Sequence, residues 1–314
     1  MEIKTIVTIL FFSMSGLSLG VNASTISSDE PWVDATEGIT GGSTAITWFP
    51  ANQNISSSST LDHAQTIIEV YTATWCETCI PAEEALNASI TDYAVKVVKY
   101  HRHLFETEDP FGNNNTEGRW LSRYGPSAVQ ADFNARTPPT VIFGGERMHI
   151  GSHPTAGVSL EEEYSISLNS IMRPPISNSS EFTFTWVDGT FEWSWNWEED
   201  ITACRSNCDT VSTELYMMIV EDTAFFPEGS NGEEYYHRIL RDVIPLGNNS
   251  IEYILPQAWD DDDVSILIVL DWQESQSEET FLEVIPSLAV ELVIIGLAFT
   301  AFITPTEAKK RRVQ

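Results

Sequence analysis

Apolar and polar positions follow two rhythms along this chain, and the change between them predicts its organisation. Thr66-Ile-Ile-Glu-Val-Tyr71 reads as a strand with its core from Ile67 to Thr72. Pro81 to about Tyr93 reads as a helix, and Val95-Lys-Val-Val-Lys-Tyr100 as a second strand. A long connection follows, with turn signals at Asp109-Pro110 and Gly112-Asn-Asn-Asn115 and helical pieces around Glu117 to Tyr124 and Ser127 to Phe133. Val141-Ile-Phe143, Gly144-Gly145 and Glu146-Arg-Met-His-Ile150 give a strand, a glycine turn and a strand, the signature of a hairpin. Ser159 to Ile171 closes the series as a helix whose apolar face is Val158, Ile166, Leu168 and Ile171. The order predicts an α/β sheet covered by helices.

Beyond Arg173-Pro-Pro175 and the linker-like Ser177-Asn-Ser-Ser180 the rhythm becomes strict alternation. Phe182-Thr-Phe-Thr-Trp186 and Thr190-Phe-Glu-Trp-Ser-Trp-Asn-Trp197 place large aromatics at every second position, the period of half-buried strands. Leu215 to Val220, Ile251 to Leu255 and Ser265 to Leu270 add more strands, which together predict a mainly antiparallel, Ig-like β-sandwich. Trp186, Trp193, Trp195 and Trp197 fit a packed sandwich face better than a carbohydrate platform.

The ends read as addresses. Lys4, the apolar stretch from Ile6 to Leu19 and the small-residue site at Ala23 predict a signal peptide over 1–23. Residues 284–304 are apolar except for Glu291 and long enough to span a bilayer as a helix. Lys309-Lys-Arg-Arg312 beyond them predicts a basic cytoplasmic tail over 305–314. Between the ends the expected divisions are a low-complexity segment at 24–60, an α/β unit at 61–173, a linker at 174–181 and the sandwich at 182–275. These features predict a single-pass membrane protein with its bulk outside the cytoplasm.

Charge and cysteines narrow the chemistry. Asp plus Glu number 46 against 16 Lys plus Arg, a net charge of -30, so nucleic acid is an unfavourable partner. Sequons stand at Asn54, Asn87, Asn114, Asn178 and Asn248. The four cysteines form two local pairs, as suits an oxidising compartment. In Tyr71-Thr-Ala-Thr-Trp-Cys-Glu-Thr-Cys79, a strand leads into Cys76 and a helix begins beneath Cys79. Unpaired N–H groups at a helix start favour a thiolate, which makes Cys76 a candidate nucleophile and Cys79 its resolving partner. Glu77 works against that thiolate. Cys204 and Cys208 read as a small structural disulfide, with a soft-metal loop as the alternative. His101 with His103 and the run Asp260-Asp-Asp-Asp263 have no diagnostic metal spacing, so neither metal nor cofactor is expected.

Trp75-Cys-Glu-Thr-Cys79 after an apolar strand, Pro138-Pro-Thr140 opening a later strand and the Gly144-Gly145 turn resemble the thioredoxin-like superfamily over about residues 60–173. In its long connection between Tyr100 and Pro139 the chain looks like a divergent secreted branch, some of it associated with bacterial outer membranes. The resemblance implies a cis-proline at Pro139, with Thr140 after it, packed against the cysteine pair. Trp75 would then form a rim for a partner peptide. The departures are Glu77-Thr78 between the cysteines and Val70 where the family carries a buried aspartate; Glu69 should face the other side of the strand. The expected function is a membrane-anchored thiol–disulfide oxidoreductase or redox carrier acting on protein thiols and disulfides outside the cytoplasm. The alternative is a redox-silent cell-surface binding or adhesion protein on the same scaffold.

Overall fold

A computed structural model of the protein describes residues 30–205, 207–259 and 262–276. The expected signal peptide at 1–23 and the expected spanning helix and tail at 284–314 lie outside those residues.

The chain builds thirteen strands and four α-helices among the described residues. The strands are β1 (Val33–Asp34), β2 (Gly41–Pro50), β3 (Ile55–Thr60), β4 (Gln65–Thr72), β5 (Val95–His101), β6 (Thr140–Phe143) and β7 (Arg147–Ile150). They continue as β8 (Glu181–Val187), β9 (Thr190–Asn196), β10 (Thr210–Phe225), β11 (Tyr235–Pro245), β12 (Ser250–Glu252) and β13 (Val264–Ser275). The helices are α1 (Cys79–Ser89), α2 (Asn114–Arg123), α3 (Gly125–Gln130) and α4 (Leu160–Asn169).

Nine strands form one sheet in the order β1-β7-β6-β4-β2-β13-β10-β11-β5, and β5 also pairs with β4. That last pairing closes a mixed barrel of six strands, β4-β2-β13-β10-β11-β5, from which β6, β7 and β1 extend as a side wing. The antiparallel ladders β10–β13 and β2–β13 are long. The closing contacts are short: β2 meets β4 through Thr44↔Thr66 and Ala45↔Gln65, and β11 meets β5 only at Ile239↔Lys99. A second sheet, β12-β9-β8-β3, packs over the barrel.

Alternation explains the layers. On β4, Ile67 and Tyr71 point into the barrel, while Ile68 and Val70 face α1 and α4. On β10 and β13, Met218, Leu267 and Val269 fill the barrel, and Met217, Ile219, Ile266, Ile268 and Leu270 meet the second sheet. Strands covered on both faces read as continuous apolar runs, and these do. Phe182, Phe184, Trp186, Phe191 and Trp193 supply the facing side, each large side chain adding roughly 1.5–3 kcal/mol by burial.

The thioredoxin-like α/β unit with a separate Ig-like sandwich is therefore corrected. Strands β4 and β5, which that unit would have kept for itself, are staves of a barrel whose other staves come from β2, β10, β11 and β13. The reason is long-range pairing: Thr44 and Leu270, more than two hundred residues apart, are register partners, and no local pattern announces that. The single-pass anchor is not supported either, its expected span lying outside the described residues. Among the described residues no helix is long and apolar enough to cross a membrane; the longest, α1, has 11 residues.

Candidate functional site

The residues singled out in sequence gather at the carboxyl end of β4. Two backbone bonds, Cys76 N–H to Ala73 O (3.0 Å) and Cys79 N–H to Cys76 O (3.1 Å), wind the turn that starts α1. Cys76 and Cys79 are joined as a disulfide. Antiparallel pairing of Tyr71 with Thr140 brings the start of β6 alongside, and the Pro138–Pro139 peptide bond there is cis. Thr140 Oγ1 donates to Thr137 O (2.6 Å), and Pro139 O accepts from Gly151 N–H (2.8 Å). Trp75 is held flat by its Nε1–H donating to Glu106 Oε2 (2.9 Å) and by Arg102 lying 5.5 Å over its ring. Glu77 is exposed and stands apart.

Proximity does not make this end reactive. Cys76 is 3 % exposed and Cys79 is 0 % exposed, whereas a nucleophilic sulfur must meet its partner in solvent. The frame beneath them is a closed barrel and not a thioredoxin-like sheet. The expected oxidoreductase or redox-carrier function on a thioredoxin-like scaffold is corrected on those grounds. Cys204 and Cys208 are also bonded to each other, beside Glu274, which accepts from Arg205 N–H (2.8 Å).

The barrel interior holds a polar network that sequence reasoning missed. Glu69, on the inward face of β4 with 0 % exposure, accepts from Tyr100 Oη–H (2.6 Å) and Tyr124 Oη–H. Arg119 reaches the same carboxylate (3.4 Å) and forms two bonds to Asp271, at 2.7 and 3.2 Å. Arg123 and Ser43 complete Asp271. Burial would raise the Asp271 carboxyl, but the two guanidiniums outweigh it and hold the group below its ordinary value. Every partner of this cluster is internal. A lone acid in an apolar strand run was the available signal, present in Ile68-Glu69-Val70 and Leu270-Asp271-Trp272. A second knot, Glu117 with Arg136, Tyr71 Oη–H (2.7 Å) and two backbone N–H groups, ties the long connection to β4. Burial works to raise the Glu117 carboxyl, and these bonds bring it below the usual range.

One buried carboxylate is only half satisfied. Glu163 sits in the first turn of α4, which Ser159 caps through Glu162 N–H. Its Oε1 accepts from the N–H groups of Thr155 and Ala156. Its Oε2 has no hydrogen-bond partner although the residue is 0 % exposed. The nearest charged candidate is His149 Nδ1 at 4.0 Å, too long for a hydrogen bond. Burial, helped by Arg147, pushes His149 down to about 3, so its ring is neutral and donates no charge. His149 Nε2 is already engaged by Ser167 Oγ at 2.7 Å.

Glu163 and His149 both line a pocket of about 290 Å³ at the carboxyl end of β7, walled by Trp32, Phe133, Ile150 and Leu160. Its size is near the lower end for small-molecule sites, and its lining, apolar walls with few polar groups, is of the usual kind. The turn that leads into β7 depends on glycines. Gly144 and Gly145 have φ of 60° and 68°, and a Cβ on Gly145 would stand 2.5 Å from Ser43 Oγ. That close approach lets β2 bond Gly144 O through Ser43 N–H (2.6 Å) and anchors the wing carrying β7.

Comparison with known proteins adds no family. No family model matches the chain, and no curated protein does. Among solved structures, protein AGR_C_4864 from Agrobacterium tumefaciens is similar at 14 % identity and a TM-score of 0.37, over 65 % of this chain and 77 % of that one. HBP35 of Porphyromonas gingivalis is similar at 13 % identity and a TM-score of 0.32, over 66 % of this chain and 63 % of its own. Likeness at that level carries no functional argument.

Proposed function

We propose that the chain is a binding protein that takes a small aromatic molecule bearing an ammonium group into the pocket between β7 and α4. The observation that carries this reading is Glu163 Oε2, a buried acceptor without a donor at the wall of an apolar cavity. Leaving such a group unpaired costs about 1–3 kcal/mol, and a cationic N–H donor from a ligand recovers that and adds attraction. Trp32 and Phe133 give the pocket an apolar, aromatic wall suited to a flat body. Neutral His149 offers no rival cation to the carboxylate.

Calorimetric titration with tryptamine, compared with 3-ethylindole, tests the reading. Tryptamine should bind at least tenfold more tightly than the uncharged ring, and Glu163→Gln should remove that preference. Equal binding of the two compounds, or saturable binding of neither, overturns it.

A further inference from the structure

The barrel does not close evenly, and the gap has chemistry of its own. Strand β5 pairs with β4 from Val95 to His101. On its other edge only Lys99 is paired, with Ile239 of β11. The strands part just before that pair because Arg238 has a φ of 59°, a left-handed conformation that turns β11 away. On its far edge β11 pairs with β10 along its length, from Phe225↔Tyr235 to Tyr216↔Pro245. Val95 to Val98 are thus unpaired on that side among the described residues, with Val95 and Lys96 partly exposed and Val97 and Val98 buried. An edge of this kind is a template for pairing with another chain.

The edge opens into a cleft of about 910 Å³, with Leu267 and Val220 among its lining residues and Trp48 on its wall. Trp48 is 48 % exposed. The charge of the cleft inverts that of the chain. Acids outnumber bases 46 to 16 overall, yet Lys96, Lys99 and Arg238 line the cleft against the single acid Asp222. Lys99 is engaged by Glu83 of α1. Lys96 and Arg238 are in no ion pair among the described residues: Lys96 lies 4.4 Å from the Trp48 ring centre, and Arg238 Nη1 donates to Asn87 Oδ1 at 3.3 Å. Burial lowers the ammonium value of Lys96, so a carboxylate arriving beside it would be favoured.

We infer that this cleft receives an extended, acidic peptide segment of a partner protein, which adds to the free edge of β5 as a strand and sets its carboxylates against Lys96 and Arg238. Main-chain bonds would supply affinity, and alternate side chains would supply selection. The unpaired stretch runs from Val95 to Val98, and a short segment would enter at the partly exposed Val95 and Lys96 and displace the cover of Val97 and Val98. The cations would also speed encounter, and salt would weaken the complex.

The test uses a blocked octapeptide alternating glutamate and valine, titrated into the full chain by calorimetry. Amide exchange within Val95–Lys99 is followed in parallel. Saturable binding with slowed exchange there is expected. Lys96→Gln with Arg238→Gln should weaken it at least tenfold while the melting temperature stays unchanged; should that pair fail to fold, Lys96→Gln alone serves. The same peptide with alternate backbone nitrogens methylated should bind at least tenfold more weakly. Equal binding of the methylated peptide overturns strand addition, and equal binding of a lysine–valine octapeptide overturns the charge argument. No saturable binding overturns both.

Discussion

Two buried carboxylates, Glu69 in the barrel and Glu163 under the wing, have the same exposure and opposite circumstances. Glu69 is met by Tyr100, Tyr124 and Arg119, whose own charge is answered by Asp271. Glu163 has one oxygen met by backbone N–H groups and one left without a hydrogen-bond donor. Burial alone therefore does not distinguish an acid whose bonds are complete from one short of a donor. The distinction lies in whether the protein supplies all the donors itself.

The largest effect should come from breaking the closed network. Arg119→Ala leaves Asp271 and Glu69 short of a cation inside the barrel, and chemical denaturation should report a loss of about 3–5 kcal/mol. Tryptamine affinity of the folded fraction should not change. Glu163→Gln keeps the size and the Oε1 acceptor but removes the charge. It should weaken tryptamine by about thirtyfold, near 2 kcal/mol, while moving the midpoint of denaturation little.

His149 sharpens the contrast through pH. Its folded value is depressed to about 3 from the ordinary 6.5, so the unfolded chain binds the extra proton between those values. Stability from this group is complete above pH 6.5 and falls as pH drops towards 3, by up to about 1.4 kcal/mol per unit. Glu146 acts in the opposite sense: burial raises it to about 7 from 4.5, so its contribution is lost as pH rises between those values. The two slopes oppose each other from 4.5 to 6.5, and His149 acts without that opposition below. In denaturation series, His149→Gln should flatten the fall in stability between pH 4.5 and 3. The smallest effect is expected from Ser43→Ala, which removes one donor from Asp271 and leaves the guanidiniums, about 1 kcal/mol by thermal melting.

Local patterns revealed elements better than their assembly. Strands β4, β5, β6 and β7 and helices α1 and α4 stand close to where the runs and the Gly144-Gly145 turn predict them. The Ser-rich stretch Ser56 to Ser59 reads as loose, yet it forms β3, pairing with β8 on an exposed face where serines are tolerated. The alternating aromatics of β8 and β9 announce a buried face but not its partner, which is the outside of the barrel. Of the site, the Cys76–Cys79 turn and Pro139 were visible as motifs. Glu163 was hidden among Glu161, Glu162 and Glu163, three acids in the first turn of α4, where only tertiary packing decides which one is buried.

The backbone ladders of the six-strand ring shrink to three residue pairs at two joints, while the ladders elsewhere run long. Thermal opening would then follow those joints, swinging β4 and β5 with their helices as one leaf and β2, β13, β10 and β11 as the other. A molecule jointed in this way would come apart leaf from leaf before either leaf lost its own ladders.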